Sequence, residues 1–308
     1  MAGHAPVLVT GVPRSGTTWL ARTLATGPGT GMPGREPMNP RGAQFGLGGT
    51  IDGWVRLQQP QPRQARLLRR IYRGLEPRTL SRYGVRQLAA ATPWTCTIIK
   101  DPFALLSIPA VVRLTGAHPV LLYRNPGAVL ASYRRMGWRA DVDEVVALGA
   151  PVPRAGSGDR VGDDAEAMAV FWSFLNDTAL ADLRELPQAT VVSHEELIRG
   201  GDAAVAVLRR HLDLPPAPAA ARAGTRRNST EGSDLHRFGR ERDEVLHSWR
   251  SRLSVEEIAH VGHLTRATLE QLEQARLPLL PHPRCDPPTD LPANLPTNPP
   301  TDPPKGPR

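Results

Sequence analysis

The run Val7-Leu-Val-Thr-Gly11-Val-Pro-Arg14-Ser15-Gly16-Thr17-Thr18-Trp19-Leu20 leaves this chain few ways to fold. A short β-branched and apolar stretch enters a turn bounded by glycines, and Leu20 and Leu24 open a helical spacing behind it. That is a strand, a tight loop and a helix N-terminus, where free backbone N–H groups and the helix dipole favour an anion. Gly11 and Gly16 stand at the spacing of the G-x-x-x-x-G-K-[ST] phosphate loop, with Thr18 in the hydroxyl place. The lysine place holds Thr17, and the cation of the loop is Arg14 instead. The loop is built for phosphate but lacks the group that reaches a γ-phosphate.

The rest of the sequence predicts what this loop is set in. Strands are expected at Pro6–Val9, Cys96–Lys100, Pro119–Tyr123 and Thr190–Ser193. Helices are expected over roughly 17–26, within 51–90, and at 104–114, 126–136, 163–186, 195–212 and 255–277. Residues 27–50 and 150–162 read as Gly- and Pro-rich loops, and 215–245 as irregular and charged. Strands alternating with helices mean right-handed crossovers, hence an α/β, P-loop-like three-layer fold with a central parallel sheet flanked by helices. Ligands of such sheets bind at the carboxyl ends of the strands. Gly11–Thr18, Lys100–Pro102 and Arg124–Ser132 all fall at such ends.

The 308 residues suffice for one domain over 1–280 with a basic helical insert at about 51–90. Eleven of the 28 residues from Pro281 onward are proline, so 281–308 is expected to be a disordered tail. No stretch reaches the roughly 20 apolar residues of a membrane span, and the N-terminus has no secretory pattern. Cys96 and Cys285 are too far apart in sequence, one in the tail, to suggest a disulfide, which fits a cytoplasmic location. The net charge is +8, yet the only lysines are Lys100 and Lys305. Abundant Ala, Gly, Pro and Arg point to a coding bias, so the basic balance does not argue for nucleic acid as a partner.

Arg14 offers a planar fork of donors suited to phosphate or sulfate. Arg124, at a strand end, and Ser132, about two turns into the next helix, could form a second anion site if the intervening turn folds over the ligand. Trp19 could pack in the core or present a flat face to a purine.

At this point the chain resembles a family. Gly11-Val-Pro-Arg-Ser-Gly-Thr-Thr-Trp-Leu is similar to the 5′-phosphosulfate loop of the sulfotransferases that use 3′-phosphoadenosine 5′-phosphosulfate (PAPS), and Arg124-Asn-Pro followed by Ser132-Tyr to their 3′-phosphate motif. Val192-Ser-His-Glu-Glu-Leu resembles the segment that usually follows. The resemblance implies PAPS as co-substrate. Arg14, Ser15, Gly16, Thr17 and Thr18 would hold the 5′-phosphosulfate, with Trp19 on the adenine and Arg124 and Ser132 on the 3′-phosphate. Cations and N–H donors aimed at the leaving phosphate can act there without a metal.

Two departures matter. The histidine that cytosolic members carry two residues after the matching lysine is here Pro102, while Lys100 stands in that lysine's place and is expected to steady the transferring group. The base expected from the resemblance is a glutamate in the loop after the first helix. Glu36 is the sole acidic residue before Asp52, with His194 and Glu195 as the fallback. An acidic position of the 3′ motif is Ala128, and the Arg-Lys-Gly pattern expected near Arg226 and Arg227 is absent. Nine arginines against Glu76 between 56 and 86 form either a solvated face or a contact for an anionic membrane surface or glycan. The acceptor, whether a small molecule, carbohydrate or lipid, has no legible side-chain code. Two other activities fit the loop alone: an ATP–Mg kinase with Asp101 on the metal side, and a non-catalytic nucleotide-binding module.

Overall fold

A computed structural model of the chain describes residues 4–40, 47, 49–81, 92, 94–153, 163–216 and 242–280. Its centre is a five-stranded parallel sheet in the order β2-β3-β1-β4-β5. The strands are β1 (Val7–Thr10), β2 (Thr30–Gly31), β3 (Cys96–Lys100), β4 (His118–Tyr123) and β5 (Thr190–Ser193). A fully parallel sheet must be covered on both faces, and the side-chain alternation along each strand shows how. Leu8, Ile99, Leu121, Tyr123 and Val191 join one core. Their chain neighbours Val7, Val9, Ile98, Val120, Leu122 and Val192 join the other.

The first core is closed by α2 (Pro62–Tyr72), α3 (Ile108–Thr115), α4 (Pro126–Arg135) and α6 (Asp163–Leu183), with Phe171 and Trp172 fully buried at its centre. The second is closed by α1 (Thr17–Leu24) and α7 (His194–His211), through Leu20, Leu24, Leu197 and Leu208. This is the expected three-layer arrangement. The chain lays β3 on one side of β1 and then crosses to place β4 on the other, so the order reverses at β1. That reversal opens the crevice where ligands of doubly wound sheets bind.

Several boundaries differ from expectation. The 27–50 segment contains β2, a two-residue strand pairing Thr30 with Cys96 and Gly31 with Thr97. Among its described residues the basic insert has one α-helix, α2, and a 3₁₀ turn at Pro77–Thr79; residues 82–91 lie outside the described ones. A 3₁₀ turn at Pro102–Ser107 precedes α3. A short α5 (Val142–Ala147) follows α4, held where its Glu144 accepts the Trp54 N–H at 2.7 Å. After α8 (Arg242–His247), the long C-terminal helix is two, α9 (Val255–Leu264) and α10 (Arg266–Ala275), broken at the buried Thr265. The proline-rich 281–308, Cys285 and Lys305 lie outside the described residues, as do Arg226 and Arg227. No helix among the described residues is long and apolar enough to cross a membrane.

Candidate active site

Register brings four strand ends into one row: Val9 pairs with Lys100, Thr10 with Leu121, and Tyr123 with Ser193. The loop between β1 and α1 follows directly. Gly11 has φ +151°, and a Cβ there would lie 2.1 Å from the Leu122 carbonyl oxygen. Gly16, the N-cap of α1, has φ +97°, and a Cβ there would meet His194 Cδ2 at 2.6 Å. Both positions therefore need glycine. Between them Arg14 sits at φ +74°, a conformation that side-chain-bearing residues adopt at a cost of about 1–2 kcal/mol. No side chain caps α1, so its first N–H groups remain open to an anion.

Arg14 does not simply arch over its own loop. Its Nε donates to Ser132 Oγ at 3.0 Å, and its guanidinium lies 5.7 Å from the Trp138 ring centroid. Arg124 Nη1 donates to the Arg14 carbonyl at 3.2 Å, and the Arg124 carbonyl accepts the Trp172 indole N–H at 3.2 Å. The two candidate anion-binding motifs are thus joined in one structure. Asn125 caps α4 by accepting the Gly127 N–H, with Pro126 at the first helical position, which aims the Arg124 turn at the loop.

The electrostatics are lopsided. Burial, and then the charge of Arg135, lower the proton affinity of Arg14. Burial also lowers that of Arg124, with Glu195 opposing and Arg14 and Arg135 adding to the strain. Ser15 Oγ, Arg124 Nε and His194 Nδ1 are buried without a hydrogen-bond partner. Such orphans are costly unless something satisfies them. An anion on the loop would accept from Ser15, a second anion beside Arg124 would accept from its guanidinium, and the two would offset the crowded cations.

On the other side of β1, Lys100 forms an ion pair with Glu36 Oε1, and Asn39 Nδ2 donates to Glu36 Oε2. Glu36 and Lys100 are mostly shielded, at 19% and 10% side-chain exposure, so their contact is far less screened than a surface pair. Asp101 is buried beneath them. Burial first, and Glu36 second, push its carboxyl up to about 8, against the pull of the Met38 N–H and Lys100.

The candidate residues therefore fall into two groups. Arg14, Ser15, Gly16, Thr17, Thr18, Arg124 and Ser132 surround the loop, while Glu36 and Lys100 meet beside it. Trp19 is half-buried against the β1–α1–α7 core. His194, the fallback base, is 6% exposed and packed under Gly16, with its protonated form strongly disfavoured by burial and by Arg124. Glu195 accepts the Asn125 N–H at 3.0 Å. Sequence reading missed the burial of Asp101 and the row of rings Trp138, Tyr133, Phe171 and Trp54, whose neighbours stand 5.5–6.3 Å apart. These partners are distant in sequence and follow no spacing rule.

Residues 6–218 match the Sulfotransferase family. The chain belongs to that family. Among solved structures, this sulfotransferase is similar to the sulfotransferase domain from the curacin biosynthetic pathway, at 16% identity and TM-score 0.50, over 85% of this chain and 98% of that one. It also matches the sulfotransferase domain of the Synechococcus PCC 7002 olefin synthase, at 19% identity and TM-score 0.49, over 89% and 95% of the two chains. A mouse sulfotransferase complexed with PAP matches at 11% identity and TM-score 0.46, over 86% and 88%. The first likeness shows a shared fold. No curated protein matches the sequence.

Proposed function

We propose that this sulfotransferase moves a sulfuryl group from PAPS to a hydroxyl or amine of a small-molecule, glycan or lipid acceptor. The observation that carries the reading is the junction of two cationic motifs through Arg14 and Ser132, ringed by the orphaned Ser15 Oγ and Arg124 Nε. A ligand with anionic groups at both its 5′ and 3′ ends matches such a double site better than a linear triphosphate does. The N–H groups and hydroxyls of Ser15, Gly16, Thr17 and Thr18, with Arg14, would take the 5′-phosphosulfate. Arg124 and Ser132 would take the 3′-phosphate, and Trp19 the adenine.

In the transfer, the S–O bond to the 5′-phosphate breaks as the acceptor oxygen bonds to sulfur. The electron pair leaves on the phosphate oxygen, beside Arg14 and the N-terminus of α1. The acceptor proton passes to Glu36, and Lys100 steadies the moving sulfuryl group. Glu36 serves as base once Lys100 turns from it toward the donor. No protein metal ligand enters this scheme.

The exposed Arg63, Arg66 and Arg69 on α2, with Arg73 capping its C-terminus, support contact with an anionic membrane surface from the cytoplasmic side. Calorimetry with adenosine 3′,5′-bisphosphate, against ATP–Mg²⁺, tests the donor. Tighter binding of the bisphosphate is expected, and a preference for ATP–Mg²⁺ would overturn the reading in favour of a kinase. Bisphosphate binding with no sulfate transfer from labelled PAPS to any acceptor would leave only a nucleotide-binding module.

A further inference from the structure

We propose that Asp101 is the positioning residue that fixes the Glu36 loop to the end of β1 beside Lys100, a role that rests on Glu36 acting as the base. Asp101 is 1% exposed, and both its carboxyl oxygens are occupied by backbone donors. Oδ2 accepts the Met38 N–H at 2.6 Å and Oδ1 accepts the Phe103 N–H at 3.1 Å. The first of these bonds crosses 63 residues of sequence and lands two residues beyond Glu36. Pro37, with its fixed φ, separates the anchor from the base and removes most of the slack between them.

The backbone of Asp101 is fixed as firmly as its side chain. Its N–H donates to the Val9 carbonyl at 3.0 Å, and its carbonyl accepts the Thr10 hydroxyl at 2.9 Å. Asp101 is extended, at φ −151° and ψ 97°, so its side chain leaves the strand on the face opposite that of Lys100. The two neighbours grip the Glu36 loop together, Lys100 at the carboxylate and Asp101 at the main chain. The same residue ties that loop to the end of β1, from which the phosphate loop springs. A base and a donor loop fixed to one point keep their separation, and a misplacement of about 1 Å at such a site costs up to about 100-fold in rate.

The test is a double-mutant cycle on the full chain, with labelled PAPS and an acceptor found by screening. Above pH 8, where the Asp101 carboxyl is ionised, Asp101→Asn puts an amide N–H against one of the two backbone donors. It is expected to lower kcat about 10- to 100-fold, with the Kd for adenosine 3′,5′-bisphosphate unchanged. In a Glu36→Gln background the same change should cost nothing further, because no base remains to be positioned. Wild-type kcat in Asp101→Asn, or an equal fold-loss in both backgrounds, would overturn the proposal. Should Asp101→Asn not fold, hydrogen exchange in the wild-type chain decides: the Met38 amide should be protected like the core strands, and exchange at the rate of an open loop would sink the anchor. Full turnover in Glu36→Gln alone would instead remove the base, while Met38 protection would still report the anchor.

Discussion

Arg14 donates its Nε–H to the hydroxyl of Ser132, 118 residues away, across 3.0 Å. The contact joins the turn after β1 to α4, and Arg124 closes the third side by donating to the Arg14 carbonyl. A ligand that engages one motif therefore meets the other already in place.

Arg124→Ala should separate the two ends of such a ligand. A hydrogen bond to a charged group contributes about 1.5–3 kcal/mol, so the Kd for adenosine 3′,5′-bisphosphate should rise about 10- to 100-fold. Adenosine 5′-monophosphate, which lacks the 3′-phosphate, should lose only a few-fold by the general range for neutral contacts, about 0.5–1.5 kcal/mol at most. Equal losses for both nucleotides in calorimetry would show that Arg124 does not read the 3′ end.

Glu36→Gln keeps the shape of the side chain and its contact with Asn39 but removes the base. Turnover should fall about 100- to 10,000-fold, the usual range for a general base, while adenosine 3′,5′-bisphosphate binds as before. Steady-state rates beside calorimetry make the check. Near-wild-type turnover with intact nucleotide affinity takes Glu36 out of the mechanism.

Stability should depend on pH through two groups of opposite sign, the half-buried His118 and the buried Asp101. Burial first, and His211 second, push His118 down to about 4, below its unfolded value near 6.5. The unfolded chain then gains a proton that the folded chain refuses, so His118 makes stability fall as pH drops from 6.5 toward 4. Asp101 lies at about 8 when folded, above the unfolded carboxylate value of about 4. There the folded chain keeps the extra proton, and stability falls as pH rises toward 8, by at most about 1.4 kcal/mol per pH unit. Urea midpoints of the wild type against His118→Gln and Asp101→Asn isolate each slope. Parallel curves for either pair would refute that assignment.

The arginine face of α2 should bind anionic vesicles in a salt-dependent way. Each basic residue near such a surface contributes about 1 kcal/mol, so changing Arg66, Arg69, Arg70 and Arg73 to Gln should cut partitioning about 100-fold or more. Sedimentation with phosphatidylserine-containing vesicles reads it. Arg70 contributes least on geometric grounds, since its Nε lies 3.4 Å from Glu76 and its Nη2 donates to the Leu75 carbonyl. Unchanged partitioning would leave this face merely solvated.

The phosphate loop and the strand ends beside it were legible because glycine spacing, a proline after Arg124 and apolar runs are local signals. The two-residue β2 shows no period and was hidden in a glycine-rich loop. The break at Thr265 escaped because Val261 and Leu272 keep a helical apolar spacing across it. Within the candidate site, the sequence named residues but not how they join. Nothing local says that Arg14 reaches Ser132, that His194 packs under Gly16, or that Asp101 holds the amide of Met38. Those contacts follow from strand order, which brings together segments far apart in sequence.

One further consequence follows from the Lys100–Glu36 pair. Lys100 is one of two lysines in a chain otherwise served by arginine, and the other, Lys305, lies in the proline-rich segment after Pro281. Selective isotopic labelling of lysine would thus yield two ammonium signals, one of them from the ammonium paired with Glu36. The Lys100–Glu36 pair carries its own spectroscopic reporter, with no foreign probe attached.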